Sequence, residues 1–118
     1  MAVTVLIVDD HAAFRSRARS LLEPGGFEVF EATDGDGALG CVASIAPQLV
    51  LLDIQLPGID GFEVARRLAG DGKGPVVILT SSRDAADYGG RLTSAPVAGF
   101  VPKADLSADV LRSFLSRS

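Results

Sequence analysis

Cysteine is nearly absent. Cys41 is the only one, so neither an internal disulfide nor a thiolate metal cluster can form, and a reducing cytoplasm suits the chain. Histidine also occurs once, as His11. Positive charge is in deficit, with 11 Lys and Arg against 15 Asp and Glu, a net charge of -4 and a pI of about 4.8. That balance gives no pull toward a nucleic-acid backbone or an anionic membrane surface, so direct nucleic-acid or membrane binding is not expected. Long apolar runs are missing too. The N-terminal Ala2-Val3-Thr4-Val5-Leu6-Ile7-Val8 has no basic leader, is too short to span a bilayer and runs into two acids, so it reads as a buried strand. No repeat, low-complexity stretch or linker divides the sequence. With 47% of 118 residues hydrophobic, one domain over residues 1–118 is expected, with a core of its own.

What is present is an alternation of short apolar runs with segments of helical period, the pattern of strand–helix units around a parallel sheet. Strands are expected over Val3–Val8, Phe27–Glu31, Leu49–Asp53, Val76–Thr80 and Val97–Val101. The first, third and fourth are continuously apolar, as strands covered on both faces should be. Helical stripes comprise Phe14, Ala18, Leu21 and Leu22; Ala38, Cys41, Val42 and Ile45; and Val110, Leu111, Phe114 and Leu115. A third helix, from about Phe62 to Leu68, follows the turn-forming Leu56-Pro57-Gly58-Ile59-Asp60-Gly61. The fourth, Asp84 to about Thr93, contains Gly89-Gly90; each glycine costs about 1 kcal/mol relative to alanine, which predicts a short or frayed helix. Cys41 falls in a core stripe, where packing is the simplest role for a thiol.

In a parallel sheet the loops after the strands gather at one edge, where ligands bind. The first strand runs into Asp9-Asp10, the third ends in Asp53, the fourth in Thr80, and the fifth is followed by Pro102 and Lys103. Singly these are ordinary: a loop acid pair, a β-forming threonine, a surface lysine. As a set they bring three carboxylates, a hydroxyl and an ammonium to one place. Two carboxylates about 5 Å apart repel by roughly 3 kcal/mol at an effective dielectric of 20, so three together protonate or recruit a cation. An all-oxygen site suits Mg2+. With that ion present, one carboxylate can attack a phosphoryl donor while the ion and the lysine neutralise the transferred oxygens. Asp53, at the end of the central strand, is the expected nucleophile.

Four segments resemble the receiver domains of two-component response regulators: Leu6-Ile7-Val8-Asp9-Asp10-His11; Leu51-Leu52-Asp53 through Asp60-Gly61; Val77-Ile78-Leu79-Thr80-Ser81; and Gly99-Phe100-Val101-Pro102-Lys103. They occur in order and span essentially the whole chain. The resemblance implies a flavodoxin-like, doubly wound α/β fold with five parallel strands in the order 2-1-3-4-5 and helices on both faces. Pro102 then ends an edge strand, where no ladder donor is needed.

By the same resemblance, Asp53 is the phosphoacceptor. Asp10, Asp53 and the backbone carbonyl of Gln55 ligate Mg2+ directly, with Asp9 acting largely through water, while Thr80 and Lys103 contact the phosphoryl group. Phe100 matches the aromatic switch position. Movement of Thr80 toward phosphate and inward rotation of the Phe100 ring remodel the surface of helix four, strand five and helix five. Gln55 and Ser82 occupy positions that tune access of the hydrolytic water. The implied partners are a sensor histidine kinase and either a downstream protein or an output domain outside this chain, with homodimerisation through helix four, strand five and helix five or through helices one and five. The Asp-Asp-His opening resembles receivers that often carry a helix-turn-helix output domain, and there His11 simply begins the first helix. The chain is read as a signalling domain that assists its own phosphorylation and dephosphorylation, not as a turnover enzyme.

Ala104 departs from the proline common after the active-site lysine, and a non-proline cis bond costs about 3 kcal/mol, so a trans bond is expected. A haloacid-dehalogenase-type phosphatase requires a second aspartate where Gln55 stands. A flavodoxin-like FMN carrier needs hydroxyls and amides, not two acids, after the first strand. The remaining alternative is a receiver-like interaction domain that works without phosphorylation; such domains usually lose an acid or the lysine, and this chain keeps Asp9, Asp10, Asp53, Thr80 and Lys103.

Overall fold

The computed structural model describes residues 2–69 and 74–115. Among them, β1 (Val3–Val8), β2 (Phe27–Ala32), β3 (Leu49–Asp53), β4 (Val76–Ser81) and β5 (Gly99–Pro102) form one sheet in the order β2-β1-β3-β4-β5. Every neighbouring pair is parallel. Five α-helices surround it: α1 (Ala12–Leu22), α2 (Gly35–Ile45), α3 (Gly61–Leu68), α4 (Gly90–Ser94) and α5 (Ala108–Leu115).

The two-residue period of the strands sorts the core into two layers. Val5 and Ile7 of β1, with Leu49, Leu51 and Ile78, face Phe14, Ala18 and Leu22 of α1 and Leu111 and Phe114 of α5. Leu6, Val8, Val50, Leu52, Val77 and Leu79 face the opposite layer, packed on Ala38 of α2 and Phe62, Val64 and Ala65 of α3. Both faces of the central strands are therefore dry, which is why their sequences run apolar without alternation. The register levels their carboxyl ends: Val8 pairs with Ala32 and Leu52, Asp53 with Thr80, and Ser81 with Pro102. Polar residues at those ends thus converge on one edge.

Several expectations shift in detail. The fifth strand begins at Gly99 rather than Val97. The Val97 amide donates to the Ala95 carbonyl at 2.9 Å, turning the chain before Ala98 reaches the Val77 carbonyl at 2.8 Å. Glycine is needed at the new start, because a Cβ on Gly99 would lie 2.5 Å from the Phe114 ring. In the first helix Leu21 faces outward at 37% exposure, leaving Phe14, Ala18 and Leu22 as the inward stripe. In α2 only Gly35 and Ala38 are buried. Cys41 is half-buried at the rim of the core beside Val42.

The fourth helix is as short as its glycines predict. A 3-10 turn at Ala85–Asp87 leads to Gly89, whose φ of 54° only glycine adopts readily, and α4 spans five residues. No cis peptide occurs among the described residues, so the Lys103–Ala104 bond is trans as expected, opening a 3-10 turn at Lys103–Asp105.

Candidate functional site

The loops that leave β1, β3 and β5 bring the predicted cluster together. Asp9 is fully buried and Asp53 is 2% exposed. Lys103 extends its Nζ to 2.6 Å from Asp9 Oδ2 and 3.5 Å from Asp53 Oδ2, its ammonium lying 4.5 Å from the centre of the Phe14 ring. Asp10 sits at the solvent side with a 37% exposed side chain. Asp9, Asp10, His11 and Asp53 each offer a donor atom such that all lie within 4.8 Å of one another.

Backbone donors hold the two buried carboxylates from one side. Asp9 Oδ1 accepts from the His11 amide at 2.8 Å, and Asp53 Oδ1 accepts from the Gln55 amide at 3.2 Å. The opposite oxygens face the pocket. Asp9 Oδ2 is buried and has no hydrogen-bond partner among the described residues. Its charge is met by the Lys103 ammonium at 2.6 Å, an ion pair.

Burial away from water, reinforced by the neighbouring Asp9 charge, pushes the Asp53 carboxyl up from 3.8 to about 6; Lys103 and the Gln55 amide pull it partly back. Three carboxylates against one ammonium leave the site negative. The oxygen donor set, with three carboxylates against one ammonium, fits a small hard dication.

The remaining predicted residues take up positions around this centre. Thr80, 1% exposed, pairs with Asp53 across the sheet, but its hydroxyl donates to the Val101 carbonyl at 2.6 Å and so points toward β5. Phe100 is half-buried, its ring 6.3 Å from that of Tyr88. Gln55 and Ser82 lie exposed at the rim.

Sequence reasoning missed four supporting residues. Arg15 of α1 donates to the Asp9 carbonyl at 2.8 Å while pairing with Glu31 at 2.9 Å, tying the first acidic loop to β2. Gly61 does more than turn the chain: a Cβ there would lie 2.5 Å from the Asp53 carbonyl oxygen, so its bare backbone lets α3 press against the end of β3. Ser81, fully buried, shares a 2.6 Å hydrogen bond with the Tyr88 hydroxyl, whose ring sits edge-on to Phe62 at 6.0 Å. Only Gly61 carried a signal in advance, as a turn-former ahead of the third helix, which the structure starts at Gly61 itself. The others are side-chain contacts that no periodicity announces, short-range for Arg15 with Asp9 and Ser81 with Tyr88, long-range for Arg15 with Glu31 and Tyr88 with Phe62.

A family model described as the response regulator receiver domain matches residues 5–114. The chain belongs to that family. Curated relatives of this receiver domain include the DNA-binding response regulator MtrA of Mycolicibacterium paratuberculosis, 39% identical over 87 residues that cover 74% of this chain and 39% of MtrA. The response regulator MprA of Mycobacterium tuberculosis is 39% identical over 84 residues, 71% of this chain and 36% of MprA. The chain thus spans well under half the length of these relatives. Among solved structures, the signal receiver domain of NarL from Mycobacterium tuberculosis superposes with a TM-score of 0.83 at 31% identity, covering 98% of this chain and 95% of that one. A CheY-like receiver from Methanospirillum hungatei has the same fold, with a TM-score of 0.84 at 23% identity and coverage of 99% and 94%. The chain is therefore a receiver domain of the two-component response-regulator type, a signalling domain on the flavodoxin-like architecture. No described helix is long and apolar enough to cross a membrane.

Proposed function

We propose that this receiver takes up a phosphoryl group on Asp53 from a sensor histidine kinase and transmits the change through α4, β5 and α5 to a partner or output domain. The observation that carries the proposal is the pairing of two buried carboxylates, Asp9 and Asp53, with one lysine, Lys103, at 2.6 and 3.5 Å. A dication would be held by Asp9, Asp10, Asp53 and the main-chain carbonyl of Gln55, and Mg2+ suits these oxygen donors. When bound it supplies charge neutralisation at the transferred oxygens.

In the transfer, a carboxylate oxygen of Asp53 forms a bond to phosphorus as the bond from phosphorus to the donor imidazole nitrogen breaks. The product is an acyl phosphate, and the imidazole leaves in its neutral form after taking a proton. The nucleophile must be ionised, and a carboxyl raised to about 6 is still mostly ionised at pH 7, before a cation lowers it further. Lys103, already between Asp9 and Asp53, pairs with the new phosphoryl oxygens. Thr80 exchanges its bond to the Val101 carbonyl for one to phosphate, a charge-assisted bond roughly twice as strong. That exchange frees β5 beside Phe100 and biases a two-state surface, which the partner reads.

Hydrolysis of the acyl phosphate returns the domain to rest, with Gln55 and Ser82 flanking the path of the attacking water from their exposed positions. The chain acts as one domain in the cytoplasm. Homodimerisation through α4, β5 and α5 or through α1 and α5 accompanies the active state, and the output lies in a segment beyond this chain or in a separate protein. The shared naming of MtrA and MprA as response regulators supports this reading.

The test is incubation of the wild type and Asp53→Asn with a small phosphodonor and Mg2+, followed by intact-mass measurement. The wild type gains one phosphoryl group and the variant none. A wild type that stays unmodified while Mg2+ binds defeats the assignment.

A further inference from the structure

The segment from the end of β4 to the start of α4 reaches the interior through one side chain. From Ser82 to Arg91 every residue is exposed except Tyr88, which is half-buried, and no residue of α4 itself is buried. The Tyr88 ring lies 6.0 Å from that of Phe62 on α3 and 6.3 Å from that of Phe100 on β5. Its hydroxyl shares a 2.6 Å hydrogen bond with that of Ser81, which is fully buried, directly follows Thr80, and also accepts from the Arg83 amide at 3.0 Å. Strand register fixes what this placement obstructs. Phe100 pairs with Leu79, and the next position toward the carboxyl edge on the same face is Ser81, paired with Pro102. Leu79, Tyr88 and Phe100 belong to one core layer. A Phe100 ring that turns inward toward the phosphoacceptor edge therefore meets the space beside Ser81, and the hydroxyl end of Tyr88 already fills it.

We propose that Tyr88 is a positioning residue of the switch, a lock whose bond to Ser81 holds the resting state and breaks when Asp53 is phosphorylated and Phe100 turns inward. This rests on the reading of Asp53 as the phosphoacceptor and Phe100 as the moving ring, and adds the side chain that must yield to it. Once Tyr88 leaves Ser81, the segment loses its one inward anchor ahead of α4. Gly89, at a φ of 54°, and Gly90, with nothing within 4 Å of where a Cβ would stand, give the backbone a pivot between Tyr88 and α4. A contact made in the resting state alone lowers the population of the competent state and so weakens the apparent affinity for a phosphoryl group. Removing that contact must therefore strengthen it, because the coupling is reciprocal.

The experiment uses beryllofluoride with Mg2+ as a phosphoryl mimic that binds without transfer. Tyr88 is the only tyrosine, so the ring resonances of protein labelled with 13C-tyrosine report this side chain alone. Saturating beryllofluoride moves those resonances in the wild type. By calorimetry, Tyr88→Phe binds beryllofluoride about two- to tenfold more tightly than the wild type, the range set by a hydrogen bond of ordinary net strength. Ser81→Ala shifts affinity in the same direction, and the double variant goes no further than the stronger single one. A tyrosine that merely packs leaves beryllofluoride affinity unchanged when its hydroxyl is removed. Equal or weaker binding by Tyr88→Phe, or tyrosine resonances that stay in place at saturation, overturns the proposal, and the wild-type spectrum decides it even where a variant folds poorly. If beryllofluoride does not bind the wild type, the phosphoacceptor reading is wrong and the lock falls with it. If it binds while Tyr88 stays in place, only the lock falls.

Discussion

Asp53→Asn should make the metal-free protein more stable, although it removes the residue assigned the central chemical role. In the native state the Asp53 carboxyl stands near 6 instead of 3.8, because it is buried beside Asp9. That displacement corresponds to about 3 kcal/mol of native-state cost for the ionised form. Relaxation and water entry reduce what is measured, so about 1–3 kcal/mol is expected, or roughly 3–6 °C in Tm for each kcal/mol in a domain of this size.

The sign follows from linkage. Below the unfolded value the group is protonated in both states and contributes nothing. Between 3.8 and about 6 the unfolded chain ionises first, so stability falls as pH rises, and above that window the deficit is constant. Asparagine keeps the acceptor for the Gln55 amide but carries no charge. Urea or thermal unfolding in a chelator should therefore show the variant and wild type together at low pH, the variant drawing ahead from about pH 4 and its lead constant once pH is above about 6. Mg2+ should close the gap by stabilising the wild type alone. A difference independent of pH, or a variant less stable than wild type at pH 7.5, refutes the electrostatic account of the pocket.

Gly61→Ala places a methyl 2.5 Å from the Asp53 carbonyl oxygen; it should cost about 1–3 kcal/mol by overpacking and weaken Mg2+ binding measured by calorimetry, as the loop after β3 is displaced. Tyr88→Phe removes the 2.6 Å bond to buried Ser81; it should cost about 1 kcal/mol and speed hydrogen exchange in α4, without lowering phosphoryl uptake at Asp53. Glu31 is held below the ordinary carboxylate range chiefly by its hydrogen bond to Arg19. The stability this pair contributes is present above about pH 4.5 and lost as pH falls through the lowered value. Arg19→Gln should cost about 0.5–1 kcal/mol in urea melts at pH 7 and progressively less as pH falls below 4.5.

The strands were legible because burial on both faces demands apolar residues at every position, and Val3–Val8 and Leu49–Asp53 announce that demand without reference to partners. Helix faces were less so. Leu21 has the spacing of a core residue, yet its side of α1 is exposed, and Cys41 and Val42 share a stripe that is only partly buried against the core. Periodicity reports which residues share a face, not how far the neighbouring layer extends beneath it. The start of β5 was misplaced for a related reason: Val97 is a good β-former, but its amide was taken by a turn at Ala95 before the ladder began.

Local chemistry in the chain was enough to specify the kind of fold, the acids at the strand ends and the lysine that answers them, since each depends on a residue's own segment. Distances between segments depend on how helices seat on the sheet, which no segment encodes alone. Hence it took the folded molecule to aim the Thr80 hydroxyl at Val101 and to set the Tyr88 ring between Phe62 and Phe100.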